Sequence, residues 1–194
     1  MALSDYHLQF TLKSDSDIQR RIDEKELELK RVFEFVQLST DSGVIRVAVL
    51  GCADKRLVRG HKKIFEKVLN KKVELTTFDL SVEHLLGEEN VAQHDCTLPL
   101  PNTPYDITYA HVLLKFIPTE KQLDLIKNSF AALVSGGIAI HVLDKIDYET
   151  IGPKLPDGYF TVPLADYKLE LTRLGIGFKE VPNRYGVALV LLKH

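Results

Sequence analysis

The chain has 194 residues, 45% of them hydrophobic and 27% charged, which suits one folded domain with a substantial core. A formal net charge of -2 gives no reason to expect a nucleic-acid or membrane surface as partner. Two cysteines, Cys52 and Cys96, are too few for a disulfide scaffold, and no apolar run approaches the roughly 20 residues of a membrane span.

Met1 to Phe10 lacks a basic-then-apolar leader pattern, so a reducing, cytoplasmic setting is expected. The first fifteen residues are weakly patterned. Ser16, three before Gln19, offers a capping box. A helix is predicted from there to about Leu38, with Ile18, Ile22, Leu29, Phe33 and Val36 near one face and charged residues on the other. Thr40 to Gly43 form a break. Val47 to Leu50 is a short continuous apolar run ending at Gly51, as in a strand covered on both faces. An amphipathic helix follows, carrying Ile64, Phe65, Val68 and Leu69.

Val73 to Phe78 reads as the second strand, ended by Asp79. Ser81 can cap a short helix that stops near Gly87. Asn90 to His94 is a brief third strand, the proline-rich Thr97 to Pro104 a loop, and Tyr105 to Ala110 the fourth strand. Thr119 and Gln122 form another capping box, opening a helix with Leu123, Ile126, Phe130 and Leu133 on one face and Gly136-Gly137 at its end. Ile138 to Leu143 is the fifth strand. A long connection from Asp144 to Pro163 leads to a helix over about Leu164 to Leu174. Phe178 to Val181 and Val187 to Leu192, separated only by Pro182 to Gly186, should pair as an antiparallel hairpin.

Strands alternating with helices predict an α/β fold: a Rossmann-like, seven-stranded, mostly parallel sheet with helices on both faces and a C-terminal antiparallel hairpin. The expected division is an N-terminal segment and accessory helix over 1–43 and the main domain over 44–194. In such sheets ligands bind beyond the carboxyl ends of the strands, where strand order reverses. The residues there are Gly51 to Arg56, Asp79, Asp95 with Cys96, His111 and Asp144. A glycine after the first strand permits a tight turn and close approach of a ligand. A carboxylate at Asp79 can accept hydrogen bonds from two ribose hydroxyls. Asp95 can accept one from an adenine amino group. Acids at strand ends are also ordinary turn residues; three features on one edge together point to a nucleoside-type ligand.

These segments resemble a class I S-adenosylmethionine-dependent methyltransferase. Val47-Ala-Val-Leu-Gly-Cys-Ala-Asp-Lys-Arg-Leu57 stands where that family has its glycine motif. Phe78 to Leu85 resembles its second-strand end, Gln93 to Ile107 its third-strand acid, proline loop and fourth strand, and Tyr109 to Pro118 the segment that follows. Ser135-Gly-Gly137 stands where Pro-Gly-Gly is frequent, and the closing hairpin matches the reversed last strand. The resemblance implies S-adenosylmethionine as cofactor. Gly51, Cys52 and Ala53 would cradle its methionine part, Asp79 with Leu80 its ribose, and Asp95 with Cys96 its adenine. His111 would stand beside it.

The glycine motif departs from the family. The acid usual two residues before the first glycine is Val49, the second glycine is Ala53 and the third is Lys55. Lys55 or Arg56 can instead meet the cofactor carboxylate. A non-catalytic binding or scaffold protein that has lost the cofactor is the alternative. A nicotinamide or flavin site would need G-x-G-x-x-G, and here only Gly51 of the three is present.

His111 is the one candidate catalytic residue, as a general base, against the plainer reading of a loop histidine touching cofactor or solvent. His61, His84, His94 and His141 lack metal-ligand spacing with either cysteine, so no metal site is expected. The cysteines, about two strand spacings or near 10 Å apart, are too far for a disulfide and more suited to offering backbone N–H groups. The first crossover is basic, with Lys55, Arg56, Arg59, Lys62, Lys63, Lys67, Lys71 and Lys72 against Asp54 and Glu66. Without interleaved aromatics this reads as a solvated helix face rather than an RNA site. The N-terminal helix is a lid or packing helix, or a contact for a partner or second copy. The acceptor is open; Tyr148, Tyr159 and Phe160 lie in the only connection long enough to shape a pocket, and packing over the sheet edge is their plainer use.

Overall fold

The central strand β1 (Val44–Leu50) buries Ile45, Val47, Ala48, Val49 and Leu50 to 1% exposure or less, which requires cover on both faces. A computed structural model, describing residues 5–38, 41–149 and 158–194, shows how that cover is arranged. Four strands run parallel beside or beyond β1: β2 (Lys72–Asp79), β3 (Val91–Gln93), β4 (Tyr105–His111) and β5 (Leu133–Asp144). Then β7 (Gly186–Leu192) enters antiparallel between β5 and β6 (Gly177–Pro182). The order is β3-β2-β1-β4-β5-β7-β6, so the chain reverses direction across the sheet between β1 and β4. The predicted seven-stranded, mostly parallel sheet with its closing hairpin is what the chain adopts.

Helices cover both faces. On one, α2 (Asp15–Phe35) and α3 (Lys55–Leu69) place Leu29, Val32, Ile64 and Phe65 against Val47, Val49, Ile107 and Tyr109. On the other, α4 (Thr119–Ala131) and α6 (Leu164–Arg173) place Leu125, Ile126, Leu164 and Leu171 against Ala48, Leu50, Phe78 and Leu189. Each such fully buried side chain contributes about 1.5–3 kcal/mol of burial free energy. Gly60 sets how closely α2 and α3 approach, since a Cβ there would lie 2.9 Å from Ile22.

Several local expectations change. The weakly patterned start contains a helix, α1 (Asp5–Thr11), which at seven residues is too short to display its period. Phe10 anchors it against Ile18, Cys52, Leu57, Val58 and Leu85. The Ser16–Gln19 box does not form: Ser14 caps α2, its Oγ accepting from the Asp17 amide at 3.1 Å, with Asp15 and Asp17 in the first turn. The Thr119–Gln122 box also fails. Thr119 Oγ1 and Gln122 Nε2 both donate to the Thr161 carbonyl, at 3.1 and 3.2 Å, tying α4 to the segment before α6. The buried face of α4 is accordingly Gln122, Leu125, Ile126 and Ser129. Gly136 and Gly137 do not end that helix; they lie inside β5. The β4–β5 register shifts between Tyr105 and Ile107, and a Cβ at Gly137 would come within 2.9 Å of the Asp106 carbonyl. Ser81 caps no helix; its hydroxyl meets Glu83, ahead of a single 3₁₀ turn at Glu83–Leu85. The Asp144–Pro163 connection contains α5 (Lys145–Glu149), and its residues 150–157 lie outside those described.

Candidate functional site

Register brings the ends of β1, β2, β4 and β5 to one edge: Leu50 pairs with Phe78 and Ala110, and His111 with Val142. A cavity of about 1080 Å³ runs along that edge beneath α1 and the first half of α2. Gly51, Cys52, Ala53, Asp79, Leu80, Asp95, Cys96 and His111 all line it. The volume slightly exceeds the roughly 300–1,000 Å³ usual for drug-sized ligand sites.

The turn out of β1 needs glycine at one position only. Gly51 has φ +75°, donates its amide to the Phe78 carbonyl at 2.7 Å, and would place a Cβ 2.8 Å from Leu113 Cδ1. Neither Ala53 nor Lys55 has positive φ. Asp54, extended at φ -155°, caps α3 by accepting from the Arg56 amide, and Lys55 is already the first helical residue. Neither Lys55 nor Arg56 lines the cavity. The Arg56 guanidinium is held by Asp54 and Asp15 at 2.7 Å and by the Phe10 and Lys13 carbonyls, fixing α1 and α2 to the loop. The missing second and third glycines therefore leave the turn intact.

Asp79 is 8% exposed and binds the loop itself: Oδ2 accepts from the Cys52 amide at 2.8 Å and Oδ1 from the Ser81 amide at 3.1 Å. The Cys52 N–H, expected to face a ligand, is thus already used. Each carboxylate oxygen keeps a second lone pair, so Asp79 can still accept from hydroxyls. Asp95 Oδ1 accepts from the Thr97 amide at 2.9 Å and hydroxyl at 2.7 Å. Partial burial would raise its carboxyl, but these two bonds prevail and hold it below the usual range. Cys52 and Cys96 are free and buried, and burial pushes both thiols up to about 12, so neither is a nucleophile at neutral pH.

At the inner end of the cavity, sequence reasoning named His111 alone as a site residue and missed the groups around it. His111 Nε2 lies 3.0 Å from Glu28 Oε2. Burial lowers the histidine, and the Glu28 carboxyl, which burial alone would raise, is brought below its ordinary value by His111. The pair is therefore a neutral imidazole donating to a carboxylate, leaving Nδ1 as the acceptor. Lys25 is 7% exposed, and its ammonium lies 5.7 Å from the centre of the Tyr109 ring. Burial lowers it to about 8. His61 meets the same ring edge-on at 5.7 Å, and burial holds it well below its ordinary value. The signal for Lys25 was in the sequence: Ile18, Ile22, Lys25, Leu29 and Val32 follow the 4-3-4-3 spacing of one helix face, with a lysine in the apolar stripe.

At the other wall, Lys115 Nζ lies 3.3 Å from Asp144 and 3.5 Å from the buried Asp147, near the rings of Phe116 and Tyr159. Val112, between β4 and this wall, has φ +55°, a strained conformation for a β-branched residue. His7, Asp79 and His84 bring their donor atoms within 4.8 Å of one another, although sequence spacing predicted no metal site. His7 stacks on His84 at 4.0 Å, and His84 Nε2 bonds the Cys52 carbonyl at 2.6 Å, so the group seats α1 on the loop; we assign no metal to it. In the basic crossover, Arg59 pairs with Glu88 and Lys67 with Glu26.

No protein-family model matches the chain, and no curated protein matches it by sequence. Solved structures do match in fold. DesVI of Streptomyces venezuelae aligns with TM-score 0.66 at 12% identity over 100% of both chains. DhpI, in a SAM–HEP complex, aligns with TM-score 0.55 at 18% identity over 98% of this chain and 99% of its own. NcsB1, an O-methyltransferase from neocarzinostatin biosynthesis in complex with S-adenosyl-L-homocysteine and 1,4-dihydroxy-2-naphthoic acid, aligns with TM-score 0.55 at 13% identity. That match covers 87% of this chain and 57% of NcsB1. At these identities the likeness establishes the class I methyltransferase fold, and a fold alone does not fix an activity.

Proposed function

We propose that the protein is an S-adenosylmethionine-dependent methyltransferase. The observation that carries this reading is the placement of Asp79 and Asp95, each at a strand end, in one cavity with the Gly51 turn. The same fold in a structure solved with S-adenosyl-L-homocysteine supports it. Asp79 would hold the ribose, with Leu80 against it; Asp95 and Cys96 would hold the adenine; Gly51, Cys52 and Ala53 would lie along the methionine part. The cofactor supplies an electrophilic sulfonium methyl group. The protein's part is to align an acceptor with that methyl and exclude water. His111, oriented by Glu28, can take a proton at Nδ1 where the acceptor is a hydroxyl or amine. Within the 1–43 segment, α1 and α2 serve as cover for the cleft. Among the described residues no helix is long and apolar enough to cross a membrane. A cytoplasmic setting is part of the proposal and rests on the sequence alone.

A calorimetric titration with S-adenosylhomocysteine tests the reading. Wild type should bind, and Asp79→Ala should abolish or greatly weaken binding. Unchanged affinity in Asp79→Ala would mean the ligand lies elsewhere. The second reading is a non-catalytic binding or scaffold protein of this fold. It is favoured by the self-satisfied loop, in which Asp79 already accepts the Cys52 and Ser81 amides. Absence of heat at about millimolar ligand, against the micromolar affinities usual for such sites, would decide for it.

A further inference from the structure

The inner end of the cavity contains more unanswered polarity than a packed core tolerates. Both ring nitrogens of His61 and the hydroxyl of Tyr109 are buried and make no hydrogen bond among the described residues. Lys25, 7% exposed, makes its cation–π contact with Tyr109 but no hydrogen bond or ion pair among the described residues. Buried polar atoms are almost always partnered, and the only relief for the Lys25 charge among the described residues is the field of nearby carboxylates, Glu28 foremost, without an ion-pair contact. All three residues line the cavity. They converge from three elements: Lys25 from α2, His61 from α3 and Tyr109 from β4. One anionic group placed among them would receive hydrogen bonds from an ammonium, an imidazole N–H and a phenol O–H. Beside them Glu28 Oε2 accepts from His111, while its Oε1 takes no hydrogen bond among the described residues. The recess thus offers a cation with two neutral donors, and next to it a carboxylate oxygen. That pairing suits a zwitterion and disfavours a phosphate, whose second negative charge Glu28 would repel.

We propose that Lys25, His61 and Tyr109 form a carboxylate-binding recess, with Glu28 receiving the neighbouring ammonium, and that it takes the α-amino-acid end of the ligand whose nucleoside end lies at Asp79 and Asp95. This rests on the proposed use of the cavity for an adenosyl cofactor. It assigns recognition of the charged tail to α2, α3 and β4 instead of the Gly51 turn, where Val49 is buried in the sheet and offers no charge.

Two ligands separate the tail from the nucleoside. S-adenosylhomocysteine and 5′-methylthioadenosine share adenine, ribose and thioether sulfur, and only the first carries the amino-acid group. The experiment is calorimetric titration of wild type, Lys25→Met and Tyr109→Phe with both. Wild type should prefer S-adenosylhomocysteine. Lys25→Met should weaken that ligand about 10- to 100-fold, the range of a lost charged hydrogen bond, and leave methylthioadenosine within about twofold. Tyr109→Phe, which removes one oxygen and keeps the ring packing, should weaken S-adenosylhomocysteine by about fivefold or more and likewise spare methylthioadenosine. This second variant carries the test if Lys25→Met does not fold. Equal affinity of wild type for the two ligands would overturn the proposal. So would unchanged S-adenosylhomocysteine affinity in folded variants. Both outcomes leave a nucleoside site standing, whereas failure of wild type to bind either ligand overturns the adenosyl reading itself.

Discussion

His141 provides a quantitative test of the core on the α4 side. It is 1% exposed in β5, with Nε2 at 2.8 Å from Ser129 Oγ. The serine hydroxyl donates to the Ile126 carbonyl at 2.7 Å, so it can only accept from His141, which fixes the Nε2–H tautomer. Nδ1 is buried without a partner among the described residues, and burial lowers the imidazole to about 4 from an ordinary 6.5. The folded state therefore refuses a proton that the unfolded chain accepts. Above pH 6.5 neither state is protonated and the group contributes no pH dependence. Between 6.5 and 4 unfolding takes up a proton, and stability falls by about 1.36 kcal/mol per pH unit. Over that window the loss is about 3 kcal/mol, a large part of the 5–15 kcal/mol typical of a domain. Urea unfolding followed by circular dichroism at pH 7.0 and 4.5 measures it. His141→Leu removes the titration, so wild type should lose about 2–3 kcal/mol more than the variant between those two pH values. Parallel losses would refute the burial and tautomer of His141. His61, lowered by burial as well, should keep part of the acid sensitivity in the variant.

Other outcomes follow from the turn and the thiols. Gly51→Ala meets both a positive φ and the Leu113 methyl, so it should cost about 2–4 kcal/mol in chemical denaturation and weaken S-adenosylhomocysteine binding. Ala53→Gly and Lys55→Gly should not improve cofactor affinity, because neither residue adopts a conformation that favours glycine; a gain of tenfold or more in titration would show the loop to be a damaged site. Lys55→Gly, at the first helical position, should lose no more than about 1 kcal/mol of stability. Cys52 and Cys96 should resist iodoacetamide at pH 7.5 in the native protein and react once urea unfolds it; rapid native alkylation would contradict their burial.

The order of elements and the strand ends were legible because continuous apolar runs such as Val47–Leu50 report burial on both faces, and strand ends in such a sheet share an edge. What local patterns could not reveal was competition for side-chain partners. Thr119 and Gln122 have capping spacing, yet Thr161, remote in sequence, claims both. Gly136-Gly137 reads as a helix stop, but the crowded β4–β5 register needs the pair inside a strand. The Gly51 loop looked deficient against a glycine motif, whereas its backbone needs only one glycine. Position alone was enough to put the strand-end acids on the rim of the cavity. The Lys25 recess required knowing that α2 crosses the cleft, although the lysine in an apolar stripe was its visible mark.

The central claim is that an adenosyl ligand lies along the carboxyl ends of β1, β2 and β4. Amide chemical-shift mapping of ¹⁵N-labelled protein with S-adenosylhomocysteine tests it most directly. The expected result is saturable shifts concentrated at Gly51 to Ala53, Leu80, Cys96, His111 and Val112, with Lys25 and Glu28 responding on α2. Shifts confined to the β6–β7 hairpin, or none at about millimolar ligand, would contradict it.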